Sequence, residues 1–348
     1  MAGIADRPFR RLCRAFGAGY AVGEMATCDP RLRATRKTSQ RLNADGEGAL
    51  LAVQIAGADP QMLADAARYA ADQGAQIVDI NMGCPAKKVC NAASGSALLR
   101  DEALIARILD AVARAVAVPV TLKLRTGWSP QTRNALRVCR MAESAGIQLL
   151  ALHGRTRACG FGGAAEYDTI AQVKSQVRIP VVANGDIDTP EKAAYVLSYT
   201  GADAVMIGRA AQSRPWIFRE IDHFLRNGMK LAPVRITDVH PLLLHYLDEH
   251  HLHHGEEAGA RSARKRIHFL MRGLRGGHQL CERVNRTENC AEQRRAVDDF
   301  LLESAARNPF FEYIDAADAF ASQEPSRSAL REQARIVNQT FLSPLHSC

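Results

Sequence analysis

No two cysteines stand three positions apart in this 348-residue chain, although it carries nine, so a C-x-x-C redox pair or a paired zinc-knuckle arrangement has no material to form from. The count is odd, and the chain opens without a charged, apolar and small-residue leader pattern, which argues against a secreted disulfide framework and for the cytoplasm. No apolar run approaches the roughly 18 to 20 residues that a spanning helix needs, so no membrane partner is expected. A G-x-G-x-x-G turn after an early strand is also missing, which removes the usual mark of an open dinucleotide-binding sheet. With 47% hydrophobic and 24% charged side chains, disordered, collagen-like and coiled-coil classes are excluded as well.

What the chain does have is a repeated alternation of short aliphatic runs and Ala-rich amphipathic segments. The runs fall at 20–24 (YAVGE), 50–55 (LLAVQI), 77–82 (IVDINM), 120–124 (VTLKL), 149–154 (LLALHG), 181–185 (VVANG) and 204–208 (AVMIG). Helical segments such as 60–73 and 101–116 lie between them, and 6–16 reads as a helix with no strand before it. Such βα alternation predicts a parallel sheet, and a (β/α)8 TIM barrel with its first strand apparently missing is favoured over a doubly wound fold. After about residue 225 strand signals stop, and 238–254, 255–272 and 291–305 read as helices. The chain is therefore divided into a barrel domain at 1–230, a small all-helical domain at 236–305 and a tail at 306–348 of unknown role.

In a barrel of this kind the site lies at the carboxyl ends of the strands. Alternation places Gln54, Asn81, Lys123, His153 and Asn184 there, each following an apolar residue that would face the helices. Five polar residues on five strands are hard to explain as packing. Asn184-Gly185-Asp186 and Gly208-Arg209 run toward helix starts, where a phosphate is commonly held on backbone N–H groups. Lys123 would be costly as an unpaired charge, which implies an electron-rich ring beside it.

The loop NMGCPAKKV at 81–89 fixes the backbone around one thiol, Cys84, which alone among the cysteines follows a strand end. Its spacing leaves open whether it is a nucleophile or a proton donor. Cys13, Cys139 and Cys281 fall in helical patterns and read as small core residues. His250, His251, His253 and His254 invite a metal reading, but without a nearby Cys or an H-E-x-x-H order a solvated helix face is favoured, and no metal is expected. Residues 261–295 hold ten basic side chains against three acidic ones, a net +7 within a chain of formal charge +8. That is the footprint of a phosphate-tracking surface.

Read together, MAGIADRPFR at 1–10, VQIAG at 53–57, DINMGCPAKKV at 79–89, LKLRTGW at 122–128, HGRTR at 153–157, ANGD at 183–186, MIGRA at 206–210 and RPWIF at 214–218 resemble the tRNA-dihydrouridine synthases. The likeness is dense to about residue 225 and extends to ARK at 263–265. It implies an FMN-containing oxidoreductase that reduces the carbon 5 to carbon 6 double bond of a uridine in the tRNA D-loop, with NADPH as reductant and tRNA as partner. The resemblance assigns Cys84 the role of general acid. It gives Gln54 and Lys123 bonds to the isoalloxazine ring, His153 a place beside it, and Asn184, Gly185, Asp186, Gly208 and Arg209 the phosphate. The backbone of Met1, Ala2 and Gly3 resembles a flavin contact, and 236–305 becomes a tRNA-binding domain; the chain is separately expected to be a monomer.

Two departures stand out. The Met-Ala-Gly segment of the family follows a first strand, so one seam of the barrel is expected to be open, with free edges near Tyr20 and Ala204. Phe269-Leu270 stands where Trp-Tyr is expected. The rival readings are an FMN-barrel reductase of a free pyrimidine, which would not need the basic segment, and an inactive truncated product.

Overall fold

The computed structural model describes residues 1, 3–32, 35–42 and 50–312. Ala2 and nearly all of the tail expected at 306–348 lie outside the described residues. Two compact units are present, one formed by Met1–Ala232 with Pro241–Gly259 and the other by Pro233–His240 with Ala260–Cys348.

The first unit is built on one parallel sheet of seven strands in chain order, β1 (Ala26–Thr27), β2 (Ala52–Ala56), β3 (Ile77–Met82), β4 (Val120–Arg125), β5 (Leu149–His153), β6 (Val181–Asn184) and β7 (Ala204–Met206). Its helices are α1 (Arg7–Ala15), α2 (Arg36–Leu42), α3 (Pro60–Asp72), α4 (Lys87–Asn91), α5 (Glu102–Ala115), α6 (Ala135–Ser144), α7 (Asp168–Lys174), α8 (Pro190–Thr200), α9 (Ala210–Ser213) and α10 (Ile217–Asn227). This is the architecture of a (β/α)8 TIM barrel, and among the described residues no ladder joins β7 to β1.

Local chemistry sets the helix starts. Asp6, Asp59, Asp101 and Thr189 each accept a backbone N–H of the first turn, and Pro stands at the opening of α1, α3 and α8, where its missing N–H costs nothing. Gly201 and Gly228 end α8 and α10 in the left-handed conformation.

The sheet has two unlike faces. Val53, Ile55, Val78, Ile80, Met82, Leu122, Leu124, Leu150, Leu152 and Ala183 are all buried, and they alternate with the polar residues, so the apolar set lies under the helices. In register on the other face, Gln54 stands opposite Asp79, Asn81 opposite Lys123, Arg125 opposite His153 and His153 opposite Asn184.

One strand lies elsewhere than expected. The run 20–24 contributes only an isolated bridge, Val22 to Ala52, and the ladder is carried by Ala26–Thr27. Hydropathy marks an apolar run without saying which of its N–H groups find partners.

The domain boundary also moves. Residues 241–259, expected in the helical domain, group with the first unit, because α11 (Ile236–His254) sets Tyr246 against Phe9, Glu249 on Arg11, and His250 and His254 on Asp6. The second unit contains most of α12 (Glu256–Met271), then α13 (Gly277–Arg286) and α14 (Cys290–Arg307). Helix α13 has no counterpart among the expected helices. Seven of the ten basic side chains at 261–295 are exposed (Arg261, Lys265, Arg272, Arg275, Arg283, Arg286 and Arg295). Arg266 is buried, and Arg264 donates to the Thr287 carbonyl at 3.1 Å. Among the described residues, no helix is long and apolar enough to cross a membrane.

Candidate active site

Strand-end side chains on the polar face of β2, β3 and β4 form one hydrogen-bonded chain. Asn81 Nδ2 donates to Gln54 Oε1 (2.8 Å), Gln54 Nε2 donates to Asp79 Oδ2 (2.7 Å), and Thr121 Oγ1 donates to Asp79 Oδ1 (2.6 Å). Burial raises the Asp79 carboxyl above its ordinary range, against the opposing pull of Gln54, Thr121 and Lys123. Lys123 sits beside it. Burial, reinforced by Arg125, pushes its ammonium down to about 7, with Asp79 opposing. The Tyr20 hydroxyl, buried near Asp79, is raised. These groups form a polar, weakly hydrated patch able to donate to or accept from the heteroatoms of a planar ring.

The same Asn81 also orders the thiol loop. Its Oδ1 accepts the N–H groups of Gly83 (3.3 Å) and Cys84 (3.1 Å). The Cys84 carbonyl in turn accepts Ser96 N–H (3.1 Å), the Ser96 hydroxyl (2.8 Å) and the Cys90 thiol (3.7 Å). Cys84 is therefore half-exposed on a fixed backbone. Arg125, 1% exposed, holds the loop from the other side: its Nε donates to Gly83 O (2.9 Å), and its Nη1 to Thr156 O and Gly160 O (2.8 Å each).

A second cluster lies at the ends of β5 and β6. Arg155, 3% exposed, grips the Asp186 carboxylate with both terminal nitrogens (2.8 and 2.6 Å), donates from Nε to Gly162 O (3.1 Å), and bonds Gly163 O. Asp186 also accepts Ala165 N–H (2.8 Å) and Arg209 Nη2 (2.7 Å). Burial works against its charge, but Arg155, Ala165 N–H and Arg209 together hold the carboxyl below its usual range. His153 is kept neutral: burial first, then Lys123, Arg125 and Arg155, takes its imidazole down to about 2. Asn184 Nδ2 donates to Met206 O (2.8 Å), bridging β6 and β7.

The backbone turn between these side chains is specialised. Gly185 has φ +127° and Asp186 φ +48°, and the Tyr167 hydroxyl clamps Gly185 O at 2.7 Å. Gly208 is different in kind, since a Cβ there would meet nothing within 4 Å. An open, side-chain-free backbone next to a left-handed turn suits the close approach of a phosphate. Arg209 is 58% exposed along its side chain and lies on Asp186 and over the Phe161 ring (5.4 Å).

Met1 O accepts Ile4 N–H (3.0 Å) and Ala5 N–H (2.8 Å), and Gly3 N–H donates to the Glu24 carboxylate. The fold thus gathers Gln54, Asn81 and Lys123 in one network with the Cys84 loop, and His153, Gly185, Asp186 and Arg209 in another. Asp186 serves its neighbours through a carboxylate already held by two guanidiniums.

Asp79, Thr121, Arg125 and Arg155 escaped the sequence reading. The first three keep the two-residue period of Asn81 and Lys123, so extending that alternation would have found them. Arg155 follows the end of β5, where the period stops. Cys84 is also not alone after a strand: Cys28 follows Thr27, but it is buried, with its Sγ where a Cβ on Gly57 would lie. Cys13, Cys139 and Cys281 are buried, as core residues are. The histidines of α11 overturn the expectation of a solvated face, for His250 and His251 are buried within the first unit.

A family model described as dihydrouridine synthase (Dus) matches residues 1–307. The chain is similar to tRNA-dihydrouridine synthase B of Pseudomonas aeruginosa, at 57% identity over 303 residues, which cover 87% of this chain and 91% of that protein. It is likewise similar to proteins of that name from Xanthomonas axonopodis pv. citri (54% over 301 residues, 86% and 91%) and Vibrio vulnificus (50% over 314 residues, 90% and 94%). Among solved structures, 2-naphthoyl-CoA reductase aligns with a TM-score of 0.47 at 14% identity, over 62% of this chain and 46% of that one.

Proposed function

Because the chain belongs to the dihydrouridine synthase family, whose members are flavin-dependent oxidoreductases that reduce uridine in tRNA, we propose that its strand-end clusters hold FMN and that Cys84 is the acid of the uridine half-reaction. NADPH is the proposed reductant and the cytoplasm the proposed compartment.

The observation that carries this reading is Asn81, which joins the ring-binding patch to the thiol loop through three hydrogen bonds. A flavin fits the donor set. Lys123 and Gln54 would face the heteroatoms of the ring, and an anionic pyrimidine edge beside Lys123 would restore its charge. The turns at Gly185 and Gly208, with Arg209 released from Asp186, would receive the phosphate through backbone N–H groups. The backbone of Met1, Ala2 and Gly3 is proposed to close over the ring. His153, held neutral, is suited to a hydrogen bond and not to a charge contact.

A bound, reduced FMN would supply the hydride that carbon 6 of uracil takes up. The chain's own residues do the rest. The Cys84 thiol gives its proton to carbon 5, and the loop bonds from Asn81, Ser96 and Arg125 keep it in place while it does so. The uridine must leave its stack, at a cost of about a few kcal/mol. The exposed basic side chains of the second unit supply sequence-independent phosphate contacts that offset this cost, and a reductase of free pyrimidine would have no use for them.

The test is Cys84→Ala in rapid-mixing kinetics. Flavin reduction by NADPH should be unchanged, and reoxidation by unmodified tRNA should slow by about 10²- to 10⁴-fold, the usual worth of a positioned acid. Equal slowing of both half-reactions would remove Cys84 from this role.

A further inference from the structure

The histidine run of α11 has no part in the proposed chemistry, yet two of its members converge on a single carboxylate. Asp6 Oδ1 accepts Phe9 N–H (3.1 Å) and so caps α1. Its Oδ2 lies 3.1 Å from His254 Nε2 and 3.5 Å from His250 Nδ1. The two imidazoles are one helical turn apart, with centroids separated by 4.4 Å. One ligand atom from each of the three residues lies within 4.8 Å of the other two. The side chains of His250 and Asp6 are 1% and 4% exposed and that of His254 is 26% exposed, so the cluster is closed on one side and open on the other.

His254 is within hydrogen-bond distance of Asp6, but His250 is not as close. A charge-assisted N–H···O⁻ bond prefers about 2.7 to 2.9 Å, and the His250 contact is well beyond that. Around a tetrahedral ion with bonds of about 2.0 to 2.1 Å, neighbouring ligand atoms lie roughly 3.3 Å apart; the two edges from Asp6, 3.1 and 3.5 Å, fall on either side of that value, and the third, between the imidazoles, is within 4.8 Å and would tighten when an ion binds. Two imidazole nitrogens and one carboxylate oxygen form a donor set for a borderline divalent ion, and the exposed side of His254 leaves a fourth position for water. We propose that Asp6, His250 and His254 form a zinc site that clasps α11 to the first turn of α1. Its ligands stand 248 positions apart in the chain, so the ion would close a long loop within the first unit.

The probe is zinc itself, on the tag-free, flavin-loaded full chain. After dialysis against a chelator, calorimetric titration with zinc chloride should show one ion per chain, and elemental analysis after desalting should recover it. Loss of a residue that merely orients a ligand typically costs about 10- to 100-fold in metal affinity, so His254→Gln and His250→Gln should each cost at least that much. His253→Ala, which alters the run outside the triad, should bind as the unchanged chain does. Zinc should also raise the melting temperature of the unchanged chain and leave that of His254→Gln where it was. If His250→Gln fails to fold, His254→Gln decides alone, because its ring is partly exposed. Absence of stoichiometric zinc in the unchanged chain, or equal binding by His254→Gln, overturns the site.

Discussion

Replacing Arg155 with Met should destabilise the first unit and loosen the turn that follows β6. Arg155 is almost wholly buried and donates four hydrogen bonds, two of them to Asp186. Breaking a buried ion pair by removing one partner costs about 3 to 5 kcal/mol. Asp186 retains Arg209 and the Ala165 N–H, and its side chain is 27% exposed, so the cost falls at or just below the lower end of that range, about 2 to 3 kcal/mol. For a unit of this size each kcal/mol lowers the melting temperature by about 2 to 4 °C, which predicts a fall of roughly 5 to 10 °C. Urea unfolding of flavin-free Arg155→Met, Asp186→Asn and the double variant closes the cycle, and contacting charges should couple by about 1 to 2 kcal/mol. Strict additivity, or a cost for Arg155→Met below about 0.5 kcal/mol, would mean that the pair holds nothing together.

Lys123 makes the stability of the flavin-free protein depend on pH. Its folded value of about 7 lies below the ordinary 10.5, so the unfolded chain binds the extra proton between these limits. Stability should therefore rise as pH climbs from 7 toward 10 and level off below 7, where both states hold the proton, and melting curves should show Lys123→Met flattening that rise. Gly154→Ala should fail to accumulate as folded protein, because the new Cβ would lie 2.0 Å from Glu166 O. Gly208→Ala should fold normally and lose flavin, read as the ratio of flavin to protein on purification, because its Cβ would fill space a phosphate needs. Changing the exposed Arg261 and Lys265 to Ala should weaken tRNA binding and flatten its salt dependence by about one unit of slope for each phosphate no longer neutralised, with flavin content unchanged.

The polar strand ends were legible because a strand has a period of two and a helix covers one of its faces. Gln54, Asn81, Lys123, His153 and Asn184 declared themselves by interrupting aliphatic runs at the same phase. Asp79 and Thr121 share that phase but lie deeper in β3 and β4, away from the strand ends where a site is looked for, and Arg155 lies beyond its strand, where phase carries no information. The position of β1 was hidden for a related reason, since ladder hydrogen bonds depend on the neighbouring strand. His250 and His254 were misread most fully. A run of imidazoles looks solvated until its neighbours are known, and the decisive neighbour is an aspartate at the other end of the chain, whose own local signal is that of a helix cap.

The division of the sheet into an apolar and a polar face also bears on how such a protein could be altered. Packing information resides in Val53, Ile80, Leu122, Leu150 and their companions, and chemical information in the residues between them. A library that varies only Gln54, Asn81, Thr121, Lys123 and His153 would sample new pocket chemistries while the residues that drive collapse stay fixed. The reverse library would vary folding under constant chemistry. Two nearly independent messages are thus written on alternate letters of the same strands, and selection can edit one while leaving the other intact.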